Sequence, residues 1–147
     1  MSKTVSEMAN LLFAYYPKLR KTYRNLVSIK DIPISMTQLT CLYIVHHSNG
    51  LSMSELASDL NMSNQQLTKV VDALEEFGMV ERVCDEKNRR KFYTNITEKG
   101  EELIQSLKSE VDKKLSYVLR KKSDDEIDKL YSAIEYIASY FGHTPAN

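Results

Sequence analysis

The stretch from Ser52 to Gly100 leaves the chain little choice of fold. Ser52 and Glu55 stand three residues apart, and so do Ser63 and Gln66. In each pair, hydroxyl and partner side chain can satisfy backbone N–H groups that a helix leaves open at its start. Two starts this close admit a short first helix, with Leu56 and Leu60 buried, and a tight connection at Asn61 and Met62. In the second helix Leu67, Val70, Val71, Leu74 and Phe77 form one apolar stripe. Gly78 ends it as a C′ residue. From Ser63 to Gly78 it spans about 24 Å at ~1.5 Å per residue, enough to lie in a DNA major groove. Val80 to Cys84 and Lys91 to Ile96 then read as two strands. Helix, turn, helix, strand, strand is the order of a helix-turn-helix with a wing.

The polar face of the second helix carries the candidate chemistry. Asn64, Gln65, Thr68 and Lys69 project away from the stripe near the N-terminal end, beside the cap Ser63. Amides and hydroxyls there can read base edges, while lysine and the helix N-terminus favour phosphate. A solvated face is the ordinary outcome for an amphipathic helix, but uncharged polar residues clustered in the first two turns favour readout. Asp72, Glu75 and Glu76 fall in later turns. In the wing, residues 82–91 hold five bases (Arg82, Lys87, Arg89, Arg90, Lys91) against two acids (Asp85, Glu86). Such a hairpin tip, with Lys87, Arg89 and Arg90 as candidates, can reach a minor groove. Charged turns are also common on plain surfaces.

This block resembles the MarR (multiple antibiotic resistance regulator) family. Gly78-Met79-Val80-Glu81-Arg82 matches its x-Leu-Val-x-Arg phrase, and Asp85, Arg90, Thr97 and Gly100 fall in register with its wing and the closing Leu-Thr-x-x-Gly. Ile96 replaces the usual leucine, and Asn88 stands where the family has an aspartate. That aspartate helps brace the wing arginine, so the support of Arg90 has to come from elsewhere. The resemblance implies a mostly α fold with a small β-wing, its N- and C-terminal helices interlocking with a second subunit. It makes Ser35 and Thr37, at the start of the helix before the pair, candidates for backbone contact with DNA. It also implies a homodimer on a pseudo-palindromic operator, acting as a repressor. Release would come from a stress signal or a small-molecule effector held between helical base and winged lobe.

The flanking sequence fits that plan. Residues 35–100 form the expected winged region, and residues 1–34 and 101–147 the dimerisation region. Thr4 to about Ser28 reads as a helix with Met8, Leu11, Leu12, Tyr15, Leu19, Leu26 and Val27 apolar, and Pro17 should kink or split it. Its cluster Lys18, Arg20, Lys21 and Arg24 reads as a solvated face before it reads as a phosphate site. Lys30 to Ser35 reads as a linker, and Thr37 to His47 as a helix stopped by Asn49-Gly50. Thr97 caps a helix running to about Leu119, with Leu103, Ile104, Leu107, Val111, Leu115 and Val118 on its core face. Ser123 and Glu126 open the last helix, which runs to about Phe141 with Ile127, Leu130, Tyr131, Ile134, Ile137 and Ala138 apolar. A small winged module needs no such set of long apolar faces for its own core. Two copies do.

Composition narrows the class further. The 147 residues carry 20 bases and 20 acids. With no net charge, DNA affinity has to rest on local geometry. No stretch nears ~20 apolar residues and the start lacks a signal pattern, so a cytoplasmic protein away from membranes is expected. Some relatives sense peroxide through a first-helix cysteine. Here Cys41 lies among Leu39, Leu42 and Val45 and reads as core, with Cys84 the other cysteine. His46 and His47 are adjacent, so ~100° apart on a helix, and His143 is near the tail. No metal and no cofactor are expected, and no grouping suggests an enzyme. Two rival readings remain: a winged helix that serves as a protein-interaction adaptor, and a ligand-binding protein without DNA binding.

Overall fold

The computed structural model describes residues 4–27, 32–48 and 50–141. The chain runs α1 (Val5–Leu26), α2 (Met36–His46), β1 (Leu51–Ser52), α3 (Met53–Asp59), α4 (Asn64–Glu76), β2 (Val80–Cys84), β3 (Phe92–Ile96), α5 (Glu98–Leu119) and α6 (Asp124–Phe141). The capping boxes at Ser52–Glu55, Ser63–Gln66 and Ser123–Glu126 form as the spacing implies. A further box, Ser35–Gln38, starts α2 one residue before the expected Thr37. Asn61 takes φ +50 in the turn between α3 and α4. Gly78 takes φ +70 after α4, where a side chain is disfavoured. With Ser63 and Phe77 as caps, α4 has 13 helical residues, or about 20 Å, shorter than the sequence reading.

Three expectations change. The sheet has three antiparallel strands in the order β1-β3-β2, where the sequence pointed to two. Leu51 and Ser52 pair with Thr94 and Tyr93, and two residues are too few to show an alternating pattern. Pro17 does not split α1, which is continuous. Proline costs the bond to the carbonyl four residues back, on Phe13, and that residue is 85% exposed, so water can take its place. Ile34, read as part of a linker, is buried in the core. Lys30 and Asp31 of that linker, Ser28 at the end of the first expected helix, Asn49 and His143 lie outside the described residues.

One core joins α2, α3, α4, the root of the wing and the first turns of α5. Leu39, Cys41, Leu42, Val45, Leu56, Leu67, Val71, Leu74 and Val80 fill it, and Ile104 and Leu107 close it from α5. The long helices are different. No residue of α1 is buried, and the whole of α6 whose side chains are described is exposed. Leu12, Leu19, Leu130 and Ile134 are 49%, 62%, 47% and 67% exposed, and so is most of the apolar face read from the sequence. Leu115 and Val118 of α5 join them. Such an apolar expanse is rare on a monomer and marks an interaction surface. No described helix is long and apolar enough to cross a membrane.

The start of α5 is the tightest junction. Thr97 accepts the Gly100 N–H and donates its hydroxyl to the Gly78 carbonyl at 2.6 Å, while its own N–H donates to the Met79 carbonyl at 3.0 Å. A Cβ on Gly100 would collide with that Met79 carbonyl and lie 2.7 Å from Ile96 Cγ1. Alanine in place of a helical glycine ordinarily stabilises by up to ~1 kcal/mol. Here the sign reverses. Gly100→Ala should destabilise by about 1–3 kcal/mol, read from chemical denaturation midpoints, and a stabilised variant would contradict the packing.

Candidate nucleic-acid interface

The first two turns of α4 present Asn64, Gln65, Thr68 and Lys69, all exposed. Ser63 is committed to the cap. Its hydroxyl accepts the Gln66 N–H at 3.2 Å, and its backbone N–H donates to Gln66 Oε1 at 3.0 Å. Thr68 Oγ1 donates to the Asn64 carbonyl at 2.8 Å, which fixes its rotamer and leaves its oxygen lone pairs outward. Ser35 is likewise the cap of α2, accepting from Gln38 N–H, with Thr37 exposed in the first turn. Among the described residues, no hydrogen bond or ion pair joins Ser35 or Thr37 to α4 or the wing.

The wing turn is built by the side chains of Asp85 and Asn88. Asp85 Oδ1 accepts the backbone N–H of Lys87 and of Asn88, each at 2.8 Å. Asn88 Oδ1 accepts the Arg90 N–H at 3.2 Å, and the Asn88 carbonyl accepts the Lys91 N–H at 2.8 Å. The amide at 88 thus supports the Arg90 backbone where the family's carboxylate is missing. Lys87, Arg89 and Arg90 are all exposed around this turn. Lys91 lies over the Tyr93 ring, its Nζ 5.1 Å from the centroid.

Charge is distributed unevenly. Arg82, counted with the wing bases from sequence, is not available to a partner. Its guanidinium pairs with Glu75 at 2.9 Å and with Asp72. That pairing also occupies two of the three acids of α4. Among the described residues Lys69, Lys87, Arg89 and Arg90 have no ion-pair partner. The unpaired cations of α4 and the wing are thus Lys69 near the start of the helix and Lys87, Arg89 and Arg90 around the turn, while Asp72 and Glu75 are both held by Arg82.

A cleft of about 340 Å³ lies between the end of α1, α2 and α5. Tyr23, Tyr43, His46, His47 and Lys108 give it polar edges over Leu39, Ile104 and Leu107. His46 Nδ1 sits 2.9 Å from Glu101 Oε1, joining the end of α2 to α5. The His46 and His47 rings meet edge-on at 4.6 Å. Among the described residues no group of three His, Cys, Asp or Glu is placed to hold a metal ion. Cys41 is fully buried, and burial pushes its thiol up to about 12.

A helix-turn-helix whose second helix and cationic hairpin share one small core is a winged helix-turn-helix module. Comparison with known proteins agrees. Residues 34–92 match the family model described as MarR family. The chain is 25% identical over 107 residues to YfiV of Bacillus subtilis strain 168, an uncharacterised helix-turn-helix transcriptional regulator, covering 73% of this chain and 67% of that protein. It is 29% identical over 93 residues to YdgJ of the same organism, described likewise, covering 63% of this chain and 57% of YdgJ. The structure of a MarR family protein from Bacillus stearothermophilus superposes with a TM-score of 0.79 at 25% identity, over 94% of this chain and 95% of that one. Over residues 34–92 this chain is thus similar to the MarR family, whose members are transcriptional regulators, not enzymes.

Two predictions follow from this geometry. A thiol reagent should label Cys84 in the native protein and reach Cys41 only on unfolding, as counted by mass spectrometry. Two fast-reacting thiols would contradict the burial of Cys41. The second concerns Asp85, whose carboxyl is held below its ordinary value by the N–H groups of Asn88 and Lys87. A depressed carboxylate contributes fully at neutral pH and loses its contribution as pH falls through the lowered value. The Lys87 and Asn88 amide shifts should therefore stay fixed down to about pH 4, near the ordinary aspartate value. A transition above that would contradict the turn.

Proposed function

We propose that this chain is a homodimeric transcriptional regulator that binds double-stranded DNA, acting as a repressor on a pseudo-palindromic operator. One observation carries the reading: the polar first turns of α4 and the unpaired bases of the wing are exposed together, while Asp72 and Glu75 are occupied by Arg82. In this reading Asn64, Gln65 and Thr68 meet base edges, Lys69 and the α4 N-terminus meet phosphate, and Lys87, Arg89 and Arg90 reach the adjacent minor groove. Ser63 supports this set by fixing the start of α4. Ser35 and Thr37 contact the backbone from the start of α2.

The dimer accounts for the apolar faces of α1, α6 and the second half of α5. A second copy would cover them, and two recognition helices related by a dyad would read half-sites ~34–36 Å apart. The cleft against α5 supports a small-molecule effector. Its volume lies at the small end of the range for ligand sites, and it mixes an apolar floor with a few polar groups. A ligand wedged there would alter the spacing of the two lobes and release DNA. The working place of such a protein is the cytoplasm.

The test is fluorescence-anisotropy titration with the DNA flanking the protein's own gene, at two salt concentrations and against scrambled competitor. Tight, salt-dependent binding that survives the competitor is expected. Arg90→Ala should weaken it by ~1–3 kcal/mol, and Lys69→Ala should lower the salt slope by about one. Binding that ignores sequence and salt would leave the winged module to a protein partner.

A further inference from the structure

Beyond Val80 and Ile96 at its root, the wing has no apolar anchor. From Glu81 to Tyr93 no residue is buried, and Val83 and Phe92 are each 42% exposed. Whatever holds the outer part of the hairpin against α4 has to be polar. Arg82 stands at the hairpin root, on β2 opposite the fully buried Thr94 of β3. Its side chain turns back to α4, where Nη1 donates to Glu75 Oε2 at 2.9 Å and Nη2 donates to Asp72. Its backbone N–H donates to Glu75 Oε1 at 3.3 Å. Asp72 and Glu75 lie one turn apart on α4. A planar guanidinium spans two acceptors at that spacing with fixed geometry, whereas an ammonium cannot hold both at once in one orientation. The brace therefore fixes direction as well as distance.

We propose that Arg82, held by Asp72 and Glu75, is the positioning residue that sets the wing against the recognition helix, so that Arg89 and Arg90 engage DNA together with the first turns of α4. The inference rests on the DNA-binding reading above. Its physical content is preorganisation. A wing that must be ordered at the moment of binding loses part of the affinity its bases would supply. None of Asp72, Glu75 or Arg82 needs to touch DNA for this. The three fall outside the candidate contacts, and their pairing gives two of the three acids of α4 a structural task.

The experiment pairs two readouts on the full chain. In the first, ¹⁵N relaxation gives order parameters for the wing amides in wild type, Arg82→Gln and Arg82→Lys, with thermal melts to establish that each variant is folded. Arg82→Gln should lower the order of residues 83–92 toward flexible values, below about 0.6, while α4 keeps its order, and Arg82→Lys should fall between. In the second, Arg90→Ala is measured in both backgrounds on the flanking DNA. It should cost about fivefold or more in affinity in wild type and less than about twofold in Arg82→Gln, as expected for coupled residues. Gln65→Ala, on the recognition helix, should cost the same in both. If wing order is unchanged in Arg82→Gln, or if Arg90→Ala costs as much in that background as in wild type, the proposal is overturned. A wild-type protein that binds no DNA would overturn the functional reading instead, and the order parameters would still decide whether Arg82 holds the wing.

Discussion

Helix α5 cannot rotate against the winged lobe without opening its core. Ile104 and Leu107 are buried with residues of α2 and α4. The Gly100 backbone is pressed against the Met79 carbonyl, and Thr97 ties the helix start to Gly78 and Met79. Past Val111 the same helix leaves the lobe and exposes Leu115 and Val118. One helix thus belongs to two environments, a packed core at its start and an apolar surface at its end. It returns to α1 through Lys114, whose Nζ donates to the Leu26 carbonyl at 3.3 Å. Because packed interiors resist gradual deformation, a displacement at either end of such a rod is carried to the other. In the proposed dimer this is what lets the helical base govern the spacing of two recognition helices.

The absence of net charge loses its force once the pairs are known. Residues 35–100 hold seven bases and nine acids, a count that argues against a polyanion partner. The count treats every charge as equally available, and the structure does not. Asp72 and Glu75 are both held by Arg82. Asp85 faces inward to the N–H groups of its own turn, and Glu55 accepts the Ser52 hydroxyl and N–H as part of a cap. These acids do structural tasks within hydrogen-bonding distance. The bases of the wing tip have no such partner among the described residues. Field at a surface depends on this arrangement more than on the sum.

Local rules recovered most of the fold, and they did so wherever a feature is decided within one turn of helix or one hairpin. The boxes at Ser52 and Ser63, the C′ glycine at Gly78 and the strand Val80–Cys84 are of this kind. Ser35 and Gln38 repeat the same spacing and mark the start of α2, although the apolar pattern begins later. The misses are tertiary. A two-residue strand at Leu51 exists only because β3 lies beside it. The role of Arg82 depends on acids seven and ten residues away whose side chains face it only once β2 has folded back along α4. The candidate contacts on α4 were legible as a polar face, and residue pattern says nothing of how the wing is set beside them. The apolar residues of α1 and α6 were legible as a face to be buried, and among the described residues they remain exposed.

The cleft shows why the end of α2 matters to the proposed release mechanism. His46 occupies the last position of α2 and meets Glu101 on the first turn of α5, close to Gly100 and the core. Tyr43 stacks at 4.3 Å from His47, one turn along the same helix. A small molecule entering between α1, α2 and α5 would therefore contact both walls of the junction and the residue pair that links them. It need not reach α4. By shifting α2 against α5 it would strain the core that positions α4, and the wing would move with α4 for as long as Arg82 keeps the two together. Signal and readout would then share one rigid path, from the cleft through α5 and α2 to the recognition helix and its hairpin.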